Sequence, residues 1–203
     1  MNITNVRIRP YEVSENEKRL ANAQVVLNDS LVLYRINIMK AVDDDGNERL
    51  WLSMPARRLP EMTASGEQRE RVFADYFHPI NKEAREELTK TVLDFYKQVQ
   101  ENPEAEFEAP EAEPLEIESV QVSFPKGDKA TALAYAVVVL KNGMRLNQIR
   151  IVKNKDENLG LRMPGRMRPD NKFREFFHPI TTEFRQALTK AVLDAYNSAA
   201  PEA

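Results

Sequence analysis

No cysteine occurs among the 203 residues, which excludes disulfides and any thiolate metal site. Glycine is scarce. None of the six falls in the G-x-G-x-x-G or G-x-x-x-x-G-K spacing that cradles phosphates, so no nucleotide-dependent enzyme is expected. Histidine occurs only as His78 and His178. A single histidine per module with no cysteine makes a poor metal site, and no serine or aspartate recurs as a catalytic partner in both copies, so neither a metal, a cofactor nor an enzymatic activity is expected. Long apolar runs are missing, and the opening MNITNVRIRP lacks the apolar core of a signal peptide. A cytoplasmic, bacterial-type protein without a membrane partner is the expectation.

What is present is a repeat. Residues Tyr76 to Tyr96 (YFHPINKEAREELTKTVLDFY) align without a gap on Phe176 to Tyr196 (FFHPITTEFRQALTKAVLDAY), and 13 of 21 positions are identical. The echo continues upstream. Met54-Pro55 answers Met163-Pro164, Ile36-Asn37-Ile38 answers Ile149-Arg150-Ile151, and Val25-Val26-Leu27 answers Val138-Val139-Leu140. One module is therefore drawn twice, over residues 1–100 and 115–200. Between them runs Glu101 to Pro114 (ENPEAEFEAPEAEP), with six Glu, no base, three prolines and one aromatic. Such a segment buries too little to order itself and reads as an extended linker. The modules differ in charge: residues 1–100 carry a net −1 and residues 115–203 a net +4.

Each module opens with strand signals. Ala21, Ala23, Val25 and Leu27 alternate, Asn28-Asp29 marks a tight turn, and Val32, Tyr34, Ile36 and Ile38 are expected on one face of the next strand. Asp43 to Asn47 signals a hairpin, answered by a shorter one at Lys155 to Asn158. Leu50 to Met54 makes a fourth strand that Pro55 stops. A helix follows His-Pro-Ile. Ala84, Leu88, Val92, Phe95, Tyr96 and Val99 form one stripe, which Phe184, Leu188, Val192 and Tyr196 repeat. Asn81 and Thr181 suit the N-cap, and Glu83 and Glu183 suit the positive end of the dipole.

The fold class is thus α+β, two modules each of about four antiparallel strands and a C-terminal helix. Four strands span about 19 Å, whereas one helix is ~10–12 Å across. A lone module leaves sheet surface and an edge open. Packing of the two copies as an intramolecular pseudo-dimer in a monomeric chain is expected.

The order Met-Pro, basic loop, Phe-Arg-x-x-x-His-Pro-Ile reads MPGRMRPDNKFREFFHPI from Met163 to Ile180. It resembles the stage V sporulation protein G (SpoVG) family, small bacterial proteins of about one such module. The first copy, MPARRLPEMTASGEQRERVFADYFHPI, has nine extra residues and lacks the Asp-x-x-Phe-Arg string. The resemblance implies a homodimer assembled through its sheets, linked to septation and sporulation, and a site-specific nucleic-acid-binding regulator of gene expression.

Charge supports the same direction. From Lys141 to Arg174 ten bases stand against three acids, and arginine's planar fork suits phosphate or guanine. The candidate contact residues are Arg162, Arg166, Arg168, Lys172 and Arg174, extended on the helix by Arg185 and Lys190. Their counterparts Arg57, Arg58, Arg71 and Arg85 are diluted by Glu61, Glu67 and Glu70. Nucleic acid is the expected partner, DNA slightly ahead of RNA. The alternative is a protein-interaction module of the septation machinery, in which the linker and sheet faces matter and the arginines do not. The two histidines are read as structural, tying loop to helix start.

Overall fold

The computed structural model describes residues 1–11, 18–43, 45–59, 73–125 and 132–199. Asp44, the loop acids Glu61, Glu67 and Glu70, and the candidate Arg71 lie outside them. In the first module β1 (Ile3–Pro10), β2 (Arg19–Leu27), β3 (Leu31–Val42) and β4 (Glu48–Ser53) form an antiparallel meander. After it come β5 (Ala56–Arg58), β6 (Phe73–Asp75), β7 (Phe77–Pro79) and the helix α1 (Lys82–Glu101). The second module repeats the order as β8 (Ile117–Ser123), β9 (Ala134–Leu140), β10 (Met144–Lys153) and β11 (Leu159–Arg162), then β12 (Gly165–Met167), β13 (Phe173–Glu175), β14 (Phe177–Pro179) and α2 (Thr182–Ala199).

The local signals fold as their chemistry dictates. Asn28 and Asp29 take φ of 52° and 46°, left-handed values at the centre of a tight turn that Ser30 N–H closes on the Leu27 carbonyl at 2.9 Å. Asp43 Oδ1 accepts from the backbone N–H of Asn47 at 2.7 Å, and Asn154 accepts from Asn158 at 2.9 Å in the second hairpin. Asn81 Oδ1 accepts from Ala84 N–H at 2.8 Å and Thr181 Oγ1 from Phe184 N–H at 3.3 Å, capping both helices. Both helices bury the expected stripe, led by Leu88, Val92 and Phe95, and by Phe184, Leu188 and Val192.

The simple alternation expected for β3 does not hold. Leu31, Leu33, Ile36 and Ile38 point to the core, because two residues, Tyr34 and Arg35, bulge between the pairs Val25↔Leu33 and Ala23↔Ile36. Arg35 has φ 66°. Gln148 has φ 62° at the matching place in β10, between the pairs Leu146↔Val138 and Ile149↔Ala136. Each bulge shifts the inward set by one residue and presents a polar side chain outward.

The modules are joined by exchange. β14 of the second module adds to β3, pairing Phe177↔Leu33 and Pro179↔Leu31, while β7 of the first adds to β10, pairing Phe77↔Leu146 and Pro79↔Met144. Each sheet therefore gains a fifth strand from the other half, beside β4 or β11 on the same edge. Phe77 and Phe177 are fully buried and meet edge to face at 6.2 Å, with Tyr76 stacked on Phe176 at 4.3 Å. A single hydrophobic cluster runs through both modules. The chain is a pseudo-dimer within itself, as the open-edge argument requires.

The linker differs from expectation in one respect. Beyond Glu101, which ends α1, it contains neither helix nor strand, yet it is docked. Phe107 packs edge to face on Phe95 at 5.3 Å, and the side-chain amides of Asn2 and Asn28 donate to the carbonyls of Glu111 and Glu113 at 2.8 and 2.9 Å. The segment's own apolar content is too small to fold alone. Its single aromatic instead packs against α1 through Phe95.

Candidate nucleic-acid interface

The basic loop of the second module is a two-stranded ribbon, β12 against β13, in the register Gly165↔Glu175, Arg166↔Arg174 and Met167↔Phe173. Gly165 lets the ribbon close, since a Cβ there would lie 2.4 Å from the Arg174 carbonyl oxygen. Two arginines face each other across the strands, and like charges directly opposite are destabilising. Both are exposed, as are Arg168 and Lys172 in the connecting turn. Met167 at 59% and Phe173 at 46% exposure are apolar side chains left in solvent on the same ribbon.

Strand exchange sets this ribbon over the other module. Phe176 N–H donates to the Pro164 carbonyl at 2.8 Å, and Tyr34 N–H donates to the Phe176 carbonyl at 2.8 Å. The ribbon of the second module is thereby fixed beside the β3 bulge of the first. There the half-buried Arg35 has its pKa held below the usual arginine value by burial first, then by the positive fields of Arg166, Arg19 and Arg168, with Tyr11 opposing. Beside it the Tyr34 hydroxyl is pushed up by burial, in the fields of Arg174, Glu175 and Arg7. Tyr34 also lies 5.5 Å from the ring of His178. Arginines of both modules thus converge: Arg7, Arg19 and Arg35 from the first sheet, Arg166, Arg168 and Arg174 from the second ribbon. Among the described residues, Arg7, Arg19, Arg35, Arg166 and Arg174 have no carboxylate within ion-pair distance, and Arg168 approaches Asp170 at 4.0 Å.

The pseudo-symmetric face is built the same way with other residues. There β5 pairs β6, with Arg57 opposite Ala74 and Arg58 opposite Phe73. This ribbon is anchored to the second module through Tyr76 N–H to Pro55 O at 2.8 Å and Asn147 N–H to Tyr76 O at 2.7 Å. Gln148 stands where Arg35 stands, and Asn147 where Tyr34 stands. Arg145 donates from Nε to Asn147 Oδ1 at 3.1 Å, and Arg150 lies opposite Arg162 farther along the sheet. Burial holds the His78 imidazole below its usual pKa, Asp75 opposing and Arg145 and Arg85 adding to the depression. Burial raises the Asp75 carboxyl, against the fields of His78 and Arg85.

Two tandem modules, each with a Met-Pro strand end, a basic ribbon and an exchanged Phe-His-Pro strand, match one known family. The SpoVG family model fits residues 1–98 and, a second time, residues 115–198. The chain belongs to the SpoVG family. Relatives bearing the name "Putative septation protein SpoVG" include that of Clostridium perfringens, 36% identical over 99 residues, which are 49% of this chain and 92% of that protein. The Treponema denticola protein of that name is 33% identical over 108 residues, 53% of this chain and 99% of its own length. That of Bacillus cytotoxicus is 33% identical over 108 residues, covering 53% and 95%. Each of these SpoVG proteins is about one module long, and this chain carries the module twice.

The expected contact residues separate into two groups. Arg166, Arg168, Lys172 and Arg174 gather on the second ribbon, Arg57 and Arg58 on the first, and Arg162 ends β11. The helix residues are engaged elsewhere. Lys190 pairs with Asp194 at 2.6 Å, while Arg185 and Arg85 donate to the carbonyls of Pro179 and Pro79 at 2.8 and 3.5 Å. The histidines do not bond the helix start. They lie inside the exchanged strands with Nδ1 toward acids three residues back, His178 at 3.1 Å from Glu175 and His78 at 4.0 Å from Asp75. Arg7, Arg19 and Arg35 were not among the expected residues. The signal was present: Arg7 aligns with Gln121 and Arg35 with Gln148, so comparing the two copies position by position picks them out.

Proposed function

We propose that this protein is a non-enzymatic, nucleic-acid-binding regulatory member of the SpoVG septation family, acting in the cytoplasm as a monomeric chain whose symmetry partner is its own second half. The observation that carries the reading is the convergence of six arginines on one face, five of them without an ion-pair partner among the described residues. Folding gathers these like charges at a cost, and a polyanion offsets it. DNA is favoured over RNA because a two-stranded ribbon fits the B-form major groove, while the major groove of A-form RNA is too deep and narrow for it. Exposed Met167 and Phe173 suit contact with thymine methyl groups. No described helix is long and apolar enough to cross a membrane.

The test is equilibrium binding of labelled duplex DNA and duplex RNA to the full chain. Saturable binding with DNA tighter than RNA is expected. The rival reading, a protein-interaction module of the septation machinery, has no need of those arginines and gives no saturable binding to either.

A further inference from the structure

We propose that the chain carries one principal nucleic-acid site, composed of the sheet of the first module and the ribbon of the second, and so binds one DNA duplex per chain in a fixed orientation. This rests on the nucleic-acid reading above and goes beyond it. A symmetric dimer of identical modules presents two equivalent faces. Here the exchange of β7 and β14 preserves the twofold framework, while the residues placed on it differ.

Equivalent positions carry different residues. The face made by the first sheet and second ribbon holds Arg7, Arg19, Arg35, Arg168 and Arg174, where the other holds Gln121, Ala132, Gln148, Leu59 and Ala74. Arg166 and Arg57 are the one matched arginine pair on the ribbons. The second face keeps Arg145, Arg150 and Arg162 on its sheet and Arg57 and Arg58 on its ribbon, Arg58 standing where the first face has Met167, but Arg145 is bonded to Asn147, and the ribbon sets Arg57 opposite Ala74 and Arg58 opposite Phe73, so no arginine faces another across it. Only the first face combines a like-charged pair across its ribbon with an arginine at the sheet bulge. The site spans the covalent linker, because neither module alone supplies both parts. Its polarity is built in, sheet at one side and ribbon at the other, so a non-palindromic target follows where a symmetric dimer favours a palindrome.

Stoichiometric titration of the full chain with a short labelled duplex tests this, using variants that exchange residues between the faces. Arg7→Gln with Arg35→Gln places on the first face the residues the second already carries, and Gln148 shows that glutamine occupies the bulge at φ 62°. Arg145→Gln with Arg150→Gln is the matched control. One duplex per chain is expected, with binding weakened by roughly tenfold or more in the first variant and by less than about threefold in the control. Thermal melts establish that each variant is folded. Should the Arg35 variant fail to fold, Arg166→Ala with Arg174→Ala on the exposed ribbon carries the same expectation. Two duplexes per chain, or equal losses from site and control variants, overturn the single composite site while leaving nucleic-acid binding standing. Absence of binding by the unaltered chain overturns both.

Discussion

At the residue scale, the two bulges show how one backbone position is reused for different ends. Arg35 and Gln148 share a left-handed φ and an outward path, yet only Arg35 joins a field of other arginines. Neither residue type signals a left-handed conformation, as Gly or Asn does, so the bulges and the resulting inward set of β3 were hidden in the sequence. His78 makes a second residue-scale case. Its folded pKa lies below the ordinary value of about 6.5. The unfolded chain therefore takes up a proton first as pH falls. Stability present at neutral pH is lost as pH drops below about 6.5, and the loss levels off once the folded imidazole protonates too. Melting temperatures between pH 8 and pH 5 are expected to fall on the acid side, and His78→Asn to flatten that fall. An equal acid-side fall in the variant would assign it to other groups.

At the element scale, the helices, hairpin turns and caps were legible because each rests on local chemistry: a 3.6-residue stripe, an Asp or Asn that bonds its own turn, a side chain at the N-cap. The exchanged strands were not. Phe-His-Pro is too short to carry a period, and its partner is decided by the other module, so only the need for edge pairing was readable. The exchange rests on Phe77 and Phe177, both at 0% exposure. Phe77→Ala and Phe177→Ala are each expected to cost about 3–5 kcal/mol in denaturant unfolding. Since the two rings touch, the double variant should cost less than the sum, with a coupling of roughly 0.5–3 kcal/mol. Strict additivity would mean that the two exchanged strands do not support each other.

At the scale of the whole molecule, duplication places both partners of the strand exchange in one chain. A single core runs through both halves, and the linker holds the partner at an effective concentration in roughly the millimolar range at any dilution. The two copies differ in charge, a net −1 over residues 1–100 and +4 over 115–203. The sequence pointed to the second ribbon through its run of bases. It did not point to the first sheet, because Arg7, Arg19 and Arg35 are scattered along the chain and meet only through the fold. A composite arginine face that neutralises about five phosphates has a distinct signature in salt. The most direct measurement is DNA affinity across a salt series for the unaltered chain and for Arg35→Gln, Arg166→Ala, Arg174→Ala combined. The log–log slope is expected near −4.5 for the former and shallower by about 2.7 for the latter, roughly 0.9 for each phosphate that is no longer neutralised. A flat slope in the unaltered chain, or the same slope in both proteins, would contradict the assignment of these arginines from both modules to one phosphate-binding face.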